Sequence, residues 1–170
     1  AEAGNETIIV VNVNNSIAVG EGVDTITTTD GVDIILGDNG QIAWSATGVI
    51  ESVTATDLPS GAGDIINAGD ADNIIVGATG NDVIETGIDN DTILGDGGVA
   101  LYTAGVLVSF GNAGADSGTD KNTVVNGNNS IAGGSRSHSF MTTDGVYIIL
   151  GATCQLAWSA TGDITIFFTN

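Results

Sequence analysis

Basic residues are almost missing from this sequence. Lys121 and Arg136 are the only two Lys+Arg, against 21 Asp+Glu, for a net charge of −19 over 170 residues. A nucleic-acid backbone is held by Lys and Arg, so nucleic acid is excluded as a partner. An anionic membrane surface is excluded for the same reason. No apolar run approaches the ~20 residues that span a bilayer, so membrane insertion is not expected. The stretch from Ala1 has no signal-peptide character. One cysteine, Cys154, makes neither an intrachain disulfide nor a zinc cluster. There is one proline, Pro59, and helix formers such as Leu, Met and Glu are scarce. No phosphate-binding loop or dinucleotide fingerprint is present. The lone histidine, His138, has no legible nucleophile or oxyanion partner, so the sequence argues against an enzyme.

What is there is a strand-and-turn vocabulary: Ile, Val, Thr, Asn, Asp and 26 glycines. Three segments repeat. Ile34-Ile35-Leu36-Gly37-Asp38 leads to Trp44, Thr92-Ile93-Leu94-Gly95-Asp96 to Tyr102, and Ile148-Ile149-Leu150-Gly151 to Trp158. The aromatic residues lie 58 and 56 residues apart. Three tandem units follow, 1–60, 61–118 and 119–170.

Within each unit a nine-residue period runs four times. In the second unit Asp64, Asn73, Asp82 and Asp91 mark it, each followed two places on by Ile66, Ile75, Ile84 or Ile93. The first unit places Glu6, Asn15, Asp24 and Asp33 before Ile8, Ile17, Ile26 and Ile35. The third is read as Asn122, Asn129, His138 and Tyr147 before Val124, Ile131, Phe140 and Ile149, with one turn two residues short. On that alignment all twelve core positions are apolar. After each block comes an alternating strand, a glycine turn and a second strand, at 41–53, 99–110 and 155–168, which predicts a hairpin. The strand before each hairpin is largely apolar on both faces and needs a cover on both. Trp44, Tyr102 and Trp158 are expected to supply it.

The period is similar to G-G-x-G-x-D-x-U-x, the calcium-binding nonapeptide of RTX (hemolysin-type) proteins, with U a large apolar residue. Gly77-Ala78-Thr79-Gly80-Asn81-Asp82-Val83-Ile84-Glu85 is nearly consensus, and the segments 86–94 and 19–27 are close to it. The resemblance covers about 105 residues. It implies an all-β fold, an RTX-like parallel β-roll (a β-solenoid) with inserted β-hairpins. It also implies Ca2+ as cofactor, held where stacked turns bring carboxylates and carbonyls together. Asp24, Asp33, Asp82 and Asp91 occupy the family's ligand position, with Asp38 and Asp96 in adjacent turns. Asp and Asn also favour turns without any metal. The third unit departs from the motif at Arg136, His138, Tyr147 and Cys154, so weak or no metal binding is expected there.

The expected function is that of an extracellular or cell-surface structural protein, a segment of a fibre, matrix or adhesin. Alternatives are the repeat region of a type I-secreted enzyme or toxin, and an ice-binding calcium roll. No charge and no proline falls between 7 and 20, and neither end reads as capped: Ile8 and Ile9 lie at one end, Ile164, Ile166 and Phe168 at the other. Copies of the chain are therefore the expected partner, joined head-to-tail. Asn5, Asn14, Asn90 and Asn128 stand in glycosylation sequons and would carry glycans in a cell that makes them.

Overall fold

A computed structural model describes residues 4–55, 61–112, 118–134, 136–151, 154–158 and 164–168, the last two segments by their backbone. The described residues form strands and turns, with no helix. Each nonapeptide gives a short strand whose middle residue points inward. Two nonapeptides make one coil, since parallel partners are 18 residues apart wherever no hairpin intervenes. The first coil holds β1 (Thr7–Ile9) and β2 (Ser16–Ala18), and the second β3 (Thr25–Thr28) and β4 (Ile34–Leu36). A hairpin follows, β5 (Gly40–Trp44) and β6 (Ile50–Ala55). The pattern recurs with β7 (Ile65–Ala68), β8 (Ile74–Val76), β9 (Val83–Thr86), β10 (Thr92–Leu94) and the hairpin β11 (Gly98–Thr103) and β12 (Val106–Asn112). β13 (Lys121–Ala132) and β14 (Ser139–Leu150) each run through a whole coil, followed by β15 (Cys154–Trp158) and β16 (Ile164–Phe168).

All coil strands pair in parallel and in register, so Ile26 lies beside Ile66 and Ile66 beside Ile84. The order is β1-β3-β7-β9-β13-β10-β8-β4-β2, with β14 on β13. Because β13 continues around the turn, the sheet folds over and encloses a column of Ile17, Ile26, Ile35, Ile66, Ile75, Ile84, Ile93 and Ile131. This is the solenoid-like arrangement that the period predicts.

The hairpins join one antiparallel sheet, β16-β15-β12-β11-β6-β5. It lies on the outer face of β4, β8 and β10, burying Ile34, Leu36, Ile74, Val76 and Leu94 under Val53, Ala55, Ala100 and Phe110. The apolar outer face is thus covered, as expected, with Tyr102 packed against it but not Trp44. Phe110 is fully buried and Tyr102 is half-buried, whereas Trp44 is 47% exposed. A bulge between Ala43 and Trp44 shifts the alternation that would have turned Trp44 inward. The side chain of Trp158 lies outside the described residues.

The third block is also corrected. Asn122 pairs with Ile84 and Phe140, which places it in the core column. The turn position belongs to Asp120, nine residues before Asn129 and eighteen before His138. The nine-residue period therefore never breaks. The two missing residues come from the second hairpin segment: matched positions are 40 residues apart across the first hairpin and 38 across the second. One core position is polar after all. Asn122 is fully buried, and neither its Oδ1 nor its Nδ2 has a hydrogen-bond partner. An orphaned buried amide costs about 1–3 kcal/mol. Asn122→Val is expected to raise unfolding stability by about that amount in urea titration; a loss would show that the amide has a partner in solution.

Candidate metal centre

The turns stack into two seams, one on each side of the solenoid. On the first lie Glu6, Asp24, Asp64, Asp82, Asp120 and His138. Each backbone N–H donates to the next side chain up: Glu6 N to Asp24 Oδ1 at 2.6 Å, Asp24 N to Asp64 at 2.8 Å, Asp64 N to Asp82 at 2.8 Å and Asp82 N to Asp120 at 3.0 Å. Asp120 N closes the series on His138 Nδ1 at 3.1 Å. The second seam runs Asn15, Asp33, Asn73, Asp91 and Asn129, bonded in the same way. The reason is local. The N–H of the residue just before each strand is not used in strand pairing, and a short side chain with an acceptor reaches it from the next coil.

That job needs one oxygen, and Asn performs it as well as Asp. The other atom separates the two residue types. Asn73 Nδ2 donates to Ala68 O and Ala71 O, and Asn15 Nδ2 to Val13 O and Asp33 Oδ1, so at these two positions the amide's second atom bonds a carbonyl of its own turn, whereas Asn129 Nδ2 is buried without a partner. A carboxylate offers an acceptor there instead. Oδ2 of Asp24, Asp64, Asp82 and Asp120 is buried with no hydrogen-bond partner. Glycine lets the backbone come this close. A Cβ on Gly37, Gly77 or Gly95 would overlap the Oδ2 of Asp64, Asp82 or Asp120 respectively, and would crowd the carbonyl of the matching glycine one coil on. Unpartnered carboxylate oxygens and glycine carbonyls therefore converge, all of them acceptors.

Asp38 and Asp96 open the two hairpin segments and are buried on this same seam. Asp38 Oδ2 accepts from Thr79 N at 2.8 Å, and its charge adds to that felt by Asp64 and Asp82. Burial, more than any neighbour, pushes the carboxyl of Asp82 up to about 9 and that of Asp64 up to about 8. Asp120 and Asp91 rise to about 7 for the same first reason. Without a cation the seam takes up protons.

Of the six carboxylates expected as ligands, Asp24, Asp38, Asp82 and Asp96 gather on the first seam. Asp33 and Asp91 lie across the solenoid on the second, with Asn73 between them, so no two ladder carboxylates are adjacent there. Asp64 and Asp120 complete the first seam. Asp64 was visible as a member of the period, whereas Asp120 was hidden by the polar core residue two places after it. Hard oxygen donors, several negative charges and backbone carbonyls fit Ca2+. Comparison with protein-family models, curated proteins and solved structures finds no match for this chain.

Proposed function

We propose that this chain is a calcium-stabilised structural segment of an extracellular fibre, matrix or adhesin, of the RTX type that its nonapeptides resemble. The observation that carries the reading is the first seam, where consecutive coils bury carboxylate oxygens with no partner among acceptors. Asp64, Asp82 and Asp120 with the facing glycine carbonyls would hold the ions, and Asp24, Asp38 and Asp96 flank them. Calcium neutralises charges that otherwise oppose stacking and binds only the folded turns, so it adds stability by mass action. Such a protein works where calcium is plentiful, which supports a place outside the cell.

Self-association is the second half of the reading. At one end of the stack β1, β2 and β5 each have a single strand neighbour, and at the other β14 and β16 do. Among the described residues, both sheets thus end at each side in a strand with one neighbour. β6–β11 and β12–β15 are antiparallel contacts between successive hairpins, so β16 against the β5 of another copy would repeat a junction used twice within the chain. The two apolar residues of β1 differ in role: Ile8 packs on the interior column and Ile9 is 70% exposed. The side chains of Ile164, Ile166 and Phe168 lie outside the described residues.

Sedimentation velocity in calcium tests the proposal. Linear polymers are expected to grow with concentration, and Ile9→Lys is expected to shorten them without lowering the melting temperature, because a charge on an open edge blocks pairing. A monomer at every concentration would contradict the fibre reading and leave the calcium reading standing.

A further inference from the structure

The first seam changes chemistry at its last step. Every described position from Asp24 to Asp120 supplies oxygen, and then His138 supplies nitrogen. The His138 side chain is fully buried, its Nδ1 lies 3.1 Å from Asp120 Oδ2, and its Nε2 lies 3.9 Å from Asp96 Oδ2. Nε2 has no hydrogen-bond partner, and neither has Asp120 Oδ2. One ligand atom from each of Asp96, Asp120 and His138 falls within 4.8 Å of the others. Two glycines make the room. A Cβ on Gly133 would press on the imidazole and on Phe140, and one on Gly134 would overlap Asp96 Oδ2.

We propose that Asp96, Asp120 and His138 form a site for a borderline divalent metal ion such as Zn2+ or Co2+ at the end of the first seam, where a nitrogen joins the oxygen donors. Imidazole nitrogen suits these ions and is a poor ligand for Ca2+. In the structure Nδ1 accepts from Asp120 N, which leaves the proton of the neutral ring on Nε2; loading moves that proton to Nδ1, where Asp120 Oδ2, 3.1 Å away, accepts it in place of the backbone contact. That frees the Nε2 lone pair for the metal. Asp96 supplies the carboxylate oxygen, and water completes the coordination. A carboxylate behind a ligating histidine orients the ring and raises its basicity. The site replaces the weak metal binding expected of the third unit with binding of a different kind, and it shares Asp120 with the last of the proposed calcium positions.

Cobalt is the probe, because its visible absorption reports nitrogen and oxygen ligation directly. The whole chain, held in excess calcium, is titrated with Co2+. One equivalent is expected to bind, with visible bands intensified over those of the hydrated ion and abolished by competing Zn2+. Asp120→Asn, which keeps the acceptor for Asp82 N but turns an amide N–H toward Nδ1, is expected to weaken binding by about 10–100-fold. His138→Asp restores the residue type of the coils below, so it folds. It is expected to lose the cobalt bands and to bind one more calcium. Cobalt bands that survive in His138→Asp, or no cobalt binding by the parent chain, would overturn the proposal.

Discussion

In excess EGTA the protein is expected to be far less stable at pH 8 than at pH 5, and added calcium is expected to reverse that order. The sign follows from the first seam. Asp82 titrates near 9 and Asp64 near 8 in the fold, against an ordinary 3.8. Between pH 4 and 8 the folded state therefore binds more protons than the unfolded chain, and its stability falls as pH rises through that window. For Asp82 alone the gap between 3.8 and pH 7 is about three units, or about 4 kcal/mol. Whole domains are stable by only about 5–15 kcal/mol, so a few such groups decide whether the metal-free chain folds. Calcium binds the deprotonated carboxylates, so its contribution grows with pH. Thermal melts at pH 5 and pH 8, with EGTA and with calcium, check this. Asp82→Asn sharpens the test: it keeps the acceptor for Asp64 N, so it is expected to melt higher than the parent in EGTA at pH 8 and to bind calcium more weakly. A parent melting curve indifferent to EGTA at pH 8 would remove calcium from the account.

Phe110→Ala is expected to cost about 3–5 kcal/mol, the range for truncating a buried aromatic side chain. Phe110 is fully buried where the hairpin sheet meets the outer face of the solenoid. Trp44→Ala is expected to change stability by less than about 1 kcal/mol, since Trp44 is half-exposed beyond its bulge. Urea titration of both variants separates the two side chains. Equal losses would mean that the hairpin sheet packs differently from the arrangement described here.

The repeat itself was plain in the sequence because parallel stacking in register demands the same residue at the same place. Isoleucine two positions after each Asp or Asn is the mark of a one-sided strand in a nine-residue turn. The hairpins were equally plain, from alternation around Ala46-Thr47-Gly48 and Ala104-Gly105. Ala104 and Gly105 both take positive φ, 51° and 78°, as a two-residue hairpin turn requires. Three things were hidden. Asn122 breaks the apolar rule at a core position, and an alignment that seeks apolar residues slips past it by two and loses Asp120. A bulge has no sequence mark strong enough to say that Trp44 faces outward. Asp82, Asp91 and Asp96 fall on successive turns of the sequence, yet successive turns belong to opposite seams. Asp91 stands apart from the other two for that reason.

The seams also show why residue type at the ladder position carries more than turn preference. Asn15, Asn73 and Asn129 alternate with acids on the second seam, whereas from Asp24 to Asp120 the first seam uses Asp without exception. Either residue satisfies the N–H of the neighbouring coil. Only the first seam stacks carboxylates on consecutive coils with their second oxygens buried and unpartnered.

Long-wavelength anomalous diffraction from crystals grown in calcium locates the ions directly. Peaks are expected along the first seam, among Asp64, Asp82 and Asp120 and the carbonyls of the facing glycines. An empty first seam, with calcium only at exposed acids such as Asp70, Asp72 and Asp89, would contradict it.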